Sequence, residues 1–151
     1  MQTSVNIMGI DVDILSNDVF INKINEYLTT EKIQVIFFAS AEVLERASKE
    51  EEYKKIVDMA ELFLPGEEES LFSEYHIETL KAGDIVVSCK SFGLVLENLK
   101  KEDRSIYIVS DTEKNVELLE RYCKKMQPEL EIVGSSVFTE ESDGAAVVNE
   151  I

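Results

Sequence analysis

The amino-acid sequence predicts an α/β fold, a Rossmann-like layered sandwich with a mostly parallel sheet. Short apolar runs rich in Val, Ile and Phe alternate with amphipathic helical patterns along the chain. Most of these runs are continuous rather than alternating, as in strands that helices cover on both faces. Strand followed by helix is typical of βαβ units with right-handed crossovers. Since the 151 residues contain no linker, repeat or low-complexity tract, residues 1–151 are expected to form a single domain.

Six apolar runs are predicted to be strands. In chain order they are residues 5–10, 34–39, 62–65, 84–89, 105–110 and 130–135. The first helix is predicted over 17–28, after Ser16 as a capping residue. Its apolar face consists of Phe20, Ile24, Tyr27 and Leu28.

The remaining helices are predicted from the same periodicity. They are residues 41–49, 50–60, 91–101 and 112–126, and residues 140–151 look like the beginning of another helix. The helix over 112–126 has the clearest ends, with Thr112 as its N-cap and Lys124 and Lys125 in its last turn. Its buried face is predicted to consist of Val116, Leu119, Cys123 and Met126.

The charge balance argues against two classes of partner. Thirty-one acidic residues against fifteen basic ones give a formal net charge of −16. Nucleic-acid affinity depends largely on Lys and Arg displacing counterions from phosphates, so nucleic acid is not expected as a partner. An acidic surface also disfavours docking on anionic membranes. The N-terminus lacks the pattern of a secretory signal, and no window is apolar enough for a transmembrane segment.

The two cysteines indicate a reducing compartment. Cys89 and Cys123 lack metal-ligand spacing, and each lies in an apolar pattern, so both are expected to be reduced, packed thiols in a cytoplasmic protein. A buried disulfide between them is the alternative. Neither a metal nor a cofactor is expected.

Candidate site residues follow from the predicted topology. In parallel α/β sheets, ligands bind beyond the carboxyl ends of the strands, near helix N-termini. The segments at these positions are 38–42, 65–70, 88–91, 110–114 and 134–138.

Over nearly its whole length the sequence resembles the WecG/TagA/CpsF glycosyltransferases, glycosyltransferase family 26. The opening "VNIMGIDVDILSNDVFINKINEYL" is similar to the family's N-terminal strand pair and first helix. The segment "VIFFASAEVLERASKEEEYKKIVDMAELFLPG" has the family's order of strand, Ala-Glu helix, second helix and strand ending in proline. The segment "SIYIVSDTEKNVELLERYCKKMQPELEIVGS" is similar to its second nucleotide-fold half.

The resemblance implies a reaction and a set of substrate-binding positions. The reaction is transfer of an N-acetylhexosamine, typically N-acetylmannosamine, from a UDP-sugar to a polyprenyl-diphosphate-linked acceptor in cell-surface polysaccharide synthesis. It requires a base for the acceptor hydroxyl and donors for the UDP diphosphate. The substrate-binding positions implied by the resemblance are Ser40, Glu42, Gly66, Ser88, Lys90 and Ser110.

Several of these positions depart from the family's motifs. The family's Thr-x-Asn before Ala-Glu is Phe38-Ala39-Ser40, and its Gly-Ser-Asp segment is Ser88-Cys89-Lys90. Its catalytic aspartate follows the strand-ending proline, whereas Gly66 follows Pro65 here. Its glycine pair after the fifth strand is Ser110-Asp111, which places a negative charge beside a dianionic ligand.

Glu67 is the candidate replacement for the missing aspartate. Glu68 and Glu69 follow it directly, and three adjacent carboxylates are typical of a solvated first turn of a helix, the reading that we favour. A structural reading is also favoured for Glu42 at its helix start, for His76 in a loop, for Lys90 in solvent and for Cys89 as a packed thiol.

Three hypotheses follow. The chain is a catalytically impaired glycosyltransferase domain, as we favour, or one with a site rebuilt around Ser40, Glu67 and Lys90. Alternatively, it is a non-catalytic Rossmann-like module that binds a partner protein or a nucleotide-like ligand. A third reading is a shortened chain whose missing segment completes the site. Self-association is expected only by analogy with the family.

Overall fold

The structure, a computed structural model, describes residues 2–66 and 85–139 together with residues 142 and 148. The described strands are β1 (Gln2–Ile7), β2 (Ile10–Leu15), β3 (Ile36–Ala39), β4 (Leu62–Pro65), β5 (Ile106–Ser110) and β6 (Ile132–Val137). The described helices are α1 (Asn17–Leu28), α2 (Ala41–Lys49), α3 (Glu51–Val57), α4 (Ser88–Lys101) and α5 (Glu113–Met126). The predicted α/β class is confirmed.

The strands form three small sheets among the described residues. β1 and β2 pair antiparallel, whereas β3 pairs with β4, and β5 with β6, in parallel. The chain divides into two compact units, Met1–Leu94 and Val95–Ile151, which we describe one at a time. The single domain over 1–151 stays a prediction.

Unit 1 opens with a hairpin where a single strand over 5–10 was expected from the apolar run. That expectation was wrong, whereas the strand pair implied by the resemblance is present. Met8 and Gly9 both have positive φ angles, 53° and 83°, as a tight hairpin turn requires. Asn6 supports the turn, because its Oδ1 accepts a hydrogen bond from the Gly9 N–H and its Nδ2 donates one to Asp11.

The core of unit 1 lies between this hairpin, β3, β4 and the helices α2 and α3. β2 contributes four deeply buried aliphatic side chains, and Leu62, Phe63 and Leu64 of β4 are also buried. The buried cluster consists of Ile7, Ile10, Val12, Ile14, Ala39, Leu44, Ala47, Val57, Phe63 and Ile85. This packing fixes β4 beside β2 and leaves the carboxyl ends of β3 and β4 next to each other.

The predicted strand over 84–89 is also wrong. Ile85 forms only an isolated antiparallel bridge with Ser16, and the Val86 N–H donates to the Leu15 carbonyl. The chain then enters α4 at Ser88, and the Ser91 N–H donates to the Val87 carbonyl. Because Ile85, Val86 and Val87 are all buried, this short extended run has the same composition as a core strand.

The helices of unit 1 agree closely with the predictions. α1 and α2 have the predicted bounds, and α3 is shorter than the predicted 50–60. Ser16 occupies the N-cap position of α1, but its side chain makes no capping hydrogen bond. Phe20 and Ile24 are buried on the predicted face of α1, whereas Tyr27 and Leu28 are only half-buried.

Unit 2 contains the parallel pair β5–β6 and helix α5. The Thr112 hydroxyl accepts a hydrogen bond from the Asn115 N–H at 3.2 Å, which confirms the predicted N-cap. Val116 and Cys123 are buried as predicted, but Met126 is 44% exposed and does not belong to the buried face. Gly134 of β6 faces the Tyr107 ring so closely that a Cβ atom would lie 2.6 Å from it.

Candidate functional site

The carboxyl ends of β3 and β4 bring two of the predicted site residues together. Ala39 and Pro65 form the last parallel pair, so the next residues, Ser40 and Gly66, leave the sheet side by side. The Gly66 N–H donates a 2.9 Å hydrogen bond to the Ala39 carbonyl, which continues the ladder one residue beyond β4. This edge of unit 1 is where a parallel sheet is expected to bind a ligand.

Gly66 is in close contact with the backbone of the neighbouring strand. A Cβ atom at this position would lie 2.7 Å from the Ala39 oxygen and 3.0 Å from the Ser40 nitrogen. Those distances are shorter than van der Waals contact, and both neighbours are backbone atoms that cannot rotate away. A side chain at position 66 therefore requires the two strand ends to move apart.

Ser40 has a structural role at the start of α2. Its Oγ accepts a hydrogen bond from the Val43 N–H at 3.3 Å, as an N-cap residue does. Glu42 lies in the first turn of the same helix and is exposed, a position at which the helix dipole favours a carboxylate. Both features agree with the structural reading of the surviving Ala-Glu motif.

Asp13 of β2 is a residue that the sequence did not single out, and it lies beside the amino-terminal part of β4 rather than at the carboxyl ends of the strands. Its Oδ2 accepts a hydrogen bond from the Phe63 N–H at 3.0 Å, and so ties β2 to β4 through a side chain. The available signal was the alternation of two aspartates, Asp11 and Asp13, with apolar residues along β2, although it does not tell which of the two is half-buried. A polar cavity of about 340 Å³ is lined among others by Asp11, Asp13, Lys54 and Asp58, and neither Ser40 nor Gly66 belongs to its lining.

Several other predicted site residues lie in helix α4 or outside the residues that the structure describes. Ser88 and Lys90 belong to the first turn of α4 rather than to a strand end, as does Cys89. Their placement at the end of a fourth strand is therefore corrected. Glu67 and His76 lie outside the described residues.

Ser110 lies at the end of β5 in unit 2. Its hydroxyl donates to Asp111 Oδ1 at 3.2 Å, and Asn115 Nδ2 donates to the same oxygen at 2.7 Å. The hydrogen bond from Asn115 is the main cause that lowers the pKa of Asp111; desolvation opposes it, and the hydrogen bond from Ser110 adds a smaller lowering. Asp111 is consequently ionised at neutral pH, directly before the N-terminus of α5.

Cys123 is the described cysteine of unit 2. It is a free, buried thiol, which agrees with the reduced, packed reading. Burial raises the pKa of Cys123, with a small contribution from Glu120, so the group is a protonated thiol at neutral pH.

The described residues contain neither a metal-binding cluster nor a membrane-spanning helix. Within residues 2–66 and 85–139, no cluster of three or more His, Cys, Asp or Glu side chains could hold a metal ion. No helix in the described part of the chain is both long and apolar enough to cross a membrane.

Comparison with known proteins identifies the family. A search of curated proteins gives no match. The model of the WecG/TagA/CpsF glycosyltransferase family, in contrast, matches residues 5–151, a range that extends over both units and contains every candidate site residue. We conclude that the chain belongs to the WecG/TagA/CpsF family of glycosyltransferases.

Proposed function

We propose that this chain is a glycosyltransferase domain whose ligand is a UDP-N-acetylhexosamine and whose transfer activity is impaired. The family relationship suggests a nucleotide-sugar substrate. By resemblance, the acceptor is a polyprenyl-diphosphate-linked sugar in cell-surface polysaccharide synthesis. The observation that carries the proposed impairment is the close contact between Gly66 and the Ala39 carbonyl.

The contact bears directly on the catalytic base. Transfer to a sugar hydroxyl requires a carboxylate or similar group within hydrogen-bonding reach of that hydroxyl. The resemblance places the family's aspartate immediately after the proline that ends β4, where this chain has Gly66. Because even a Cβ atom would lie 2.7 Å from the Ala39 oxygen, the backbone as it stands cannot present a carboxylate from position 66.

Glu67 is the remaining candidate for the base. It follows Gly66 directly and its side chain is one methylene longer than that of aspartate. Glu68 and Glu69 follow it, and three consecutive carboxylates favour a solvated acid with an ordinary pKa over a tuned base. Replacement of Glu67 therefore tests whether any sugar-transfer activity that remains depends on this carboxylate.

A calorimetric titration tests whether the ligand is bound. The purified chain, shown to be folded by circular dichroism, is titrated with UDP and with UDP-N-acetylmannosamine at low and moderate salt. Sugar-dependent binding in the micromolar range is the expected result. Absence of heat up to millimolar ligand would contradict the proposed ligand and would favour a non-catalytic binding or interaction module.

The alternative is a non-catalytic binding or interaction module, and Asp111 favours it. The resemblance places the diphosphate-binding glycine pair at Ser110 and Asp111. An exposed aspartate is ionised at neutral pH, and the hydrogen bonds of Asp111 lower its pKa further, so its charge opposes a dianionic ligand. If Asp111 is the obstacle, Asp111→Asn would bind UDP more tightly than the unchanged chain, with Asp103→Asn as the matched exposed control.

Two further proposals concern the surroundings of the protein. We infer a cytoplasmic location from the cysteine pattern, and the free, buried Cys123 supports that inference. Nucleic acid is not proposed as a partner because the net charge is −16.

A further inference from the structure

Helix α5 carries a row of exposed charged side chains. The charges in this row are complementary to those of the same row on a second helix that runs in the opposite direction. Residues four apart lie along one ridge of a helix, and the ridge Glu113, Glu117, Arg121 and Lys125 reads acidic, acidic, basic, basic. All four residues are exposed. An antiparallel copy of the same ridge would place Glu113 opposite Lys125, and Glu117 opposite Arg121, at both ends. We call these four residues the charged ridge.

The adjacent ridge of α5 is largely apolar and also exposed. It consists of Lys114, Leu118, Tyr122 and Met126, again four residues apart. Leu118 is 47% exposed, Tyr122 38% and Met126 44%. We call these four residues the apolar ridge. The buried face of α5, with Val116 and Cys123, lies on the other side of the helix.

The helix dipole explains only part of this pattern. Acids near the N-terminus and bases near the C-terminus of a helix are favoured in any isolated helix. That preference gives no reason for three large apolar side chains in a row on the exposed side. A continuous exposed apolar row beside a polar one is typical of a protein–protein contact.

The basic side chains of α5 also differ in their pairing from those of α2 and α3. In those helices Arg46 pairs with Glu50, Lys49 with Glu45 and Lys54 with Asp58. On α5, Arg121 lies at 3.8 Å from Glu117, and Lys125 makes no ion pair with any residue that the structure describes. The C-terminal half of the charged ridge is therefore weakly neutralised within the chain.

We propose that two copies of this chain associate through antiparallel pairing of their α5 helices. The contact is two-fold symmetric, so that each copy offers the same surface and every charge pair occurs twice. Leu118 and Tyr122 of the apolar ridge are removed from water, and the charged ridges fix the antiparallel register. Each chain carries a net charge of −16, and this repulsion makes the association weak and concentration-dependent. The proposal is independent of sugar binding.

Charge exchange along the ridge provides the test. Arg121→Glu would place acids opposite Glu117 of the second copy, and Glu117→Arg would place bases opposite its Arg121, so each single variant is expected to associate roughly tenfold more weakly. The double variant Glu117→Arg/Arg121→Glu restores complementarity and is expected to regain association. Sedimentation equilibrium, over a concentration series extending to the millimolar range, measures all of these species.

Two controls separate the contact from changes in net charge and in folding. Lys49→Glu makes the same charge change as Arg121→Glu at an exposed, ion-paired position of α2 and is expected to associate like the unchanged chain. Leu118→Gln removes only the apolar contribution and is expected to weaken association, with circular dichroism to confirm that α5 is retained. A chain that stays monomeric throughout, or a double variant that associates no better than the single ones, would overturn the proposal.

Discussion

Gly66 shows how one residue can limit the chemistry of a strand end. Its N–H bonds to the Ala39 carbonyl, and the space that a side chain would need is occupied by the backbone of β3. The glycine is required by this close approach rather than by an unusual φ angle. The same contact that joins β3 to β4 leaves no space for a side chain at position 66, which is the basis of the proposed impairment.

Replacement of Gly66 by alanine tests this close approach. Gly66→Ala is expected to lower the free energy of unfolding by about 1–3 kcal/mol, because the strand ends must separate to admit the methyl group. Urea unfolding followed by circular dichroism measures the loss. Gly9→Ala is the comparison, since Gly9 has a φ of +83° but open space around it, so its cost of about 1–2 kcal/mol is conformational. An unfolding free energy unchanged in Gly66→Ala would refute the close approach.

At the scale of single residues, the sequence predicted which residues follow the strand ends but not how closely they pack. The adjacency of Ser40 and Gly66 follows from two parallel strands that end together, and the structure has it. The tight packing of Gly66 depends on a distance between neighbouring strands, which no local pattern contains. Asp13 was missed for the same reason, since its partner Phe63 is 50 residues away in the chain.

At the scale of elements, helices were predicted more accurately than strands. α1 and α2 have the predicted bounds because both have an amphipathic repeat and a serine at the N-cap position. The run "VNIMGI" contains a turn at Met8-Gly9. The turn was not predicted because this dipeptide differs from the Asn-Gly or Asp-Gly that is typical of tight hairpins. The run over 84–89 was ambiguous because a buried extended segment and a short core strand have the same composition.

The N-terminus of α5 provides a test at this scale. Thr112→Ala removes the acceptor of the Asn115 N–H and is expected to cost about 1 kcal/mol in the free energy of unfolding. Thr112→Ser keeps the hydroxyl and is expected to retain most of that stability. Chemical denaturation of both variants and of the unchanged chain measures the loss of unfolding free energy in each variant. Equal losses in alanine and serine variants would mean that the cap is not the stabilising feature.

At the scale of the whole molecule, the excess of acidic side chains dominates the electrostatics. Because the 151 residues carry a net charge of −16, the acidic side chains repel one another in the folded state. The described ion pairs, such as Arg46–Glu50 and Lys101–Glu97, are largely exposed and contribute little each. Salt weakens both the repulsion between acidic side chains and the attraction within ion pairs. Because the repulsion is the larger effect, added salt should stabilise the folded chain.

A melting experiment tests that balance. The melting temperature is expected to rise by a few degrees between low salt and moderate sodium chloride, because the Debye length falls to about 10 Å at 0.1 M. Equimolar potassium chloride serves as the control for ion-specific effects. A melting temperature that falls with salt would mean that the exposed ion pairs outweigh the net repulsion.

The fold class of the whole molecule was predictable from the sequence. Alternation of strand and helix predicted an α/β fold, and the family match supports it along residues 5–151. The two compact units depend on long-range contacts that composition does not reveal. The prediction of a mostly parallel sheet holds for two of the three described strand pairs.

Sugar transfer itself is the measurement that tests the central claim most directly. UDP release from UDP-N-acetylmannosamine is followed with and without a polyprenyl-diphosphate-linked acceptor, with an active family member in parallel as the positive control. Because Gly66 cannot supply the base, we predict that UDP release by this chain does not depend on the acceptor. Acceptor-dependent release that is lost in Glu67→Gln would contradict the account and would identify Glu67 as the base of a rebuilt site.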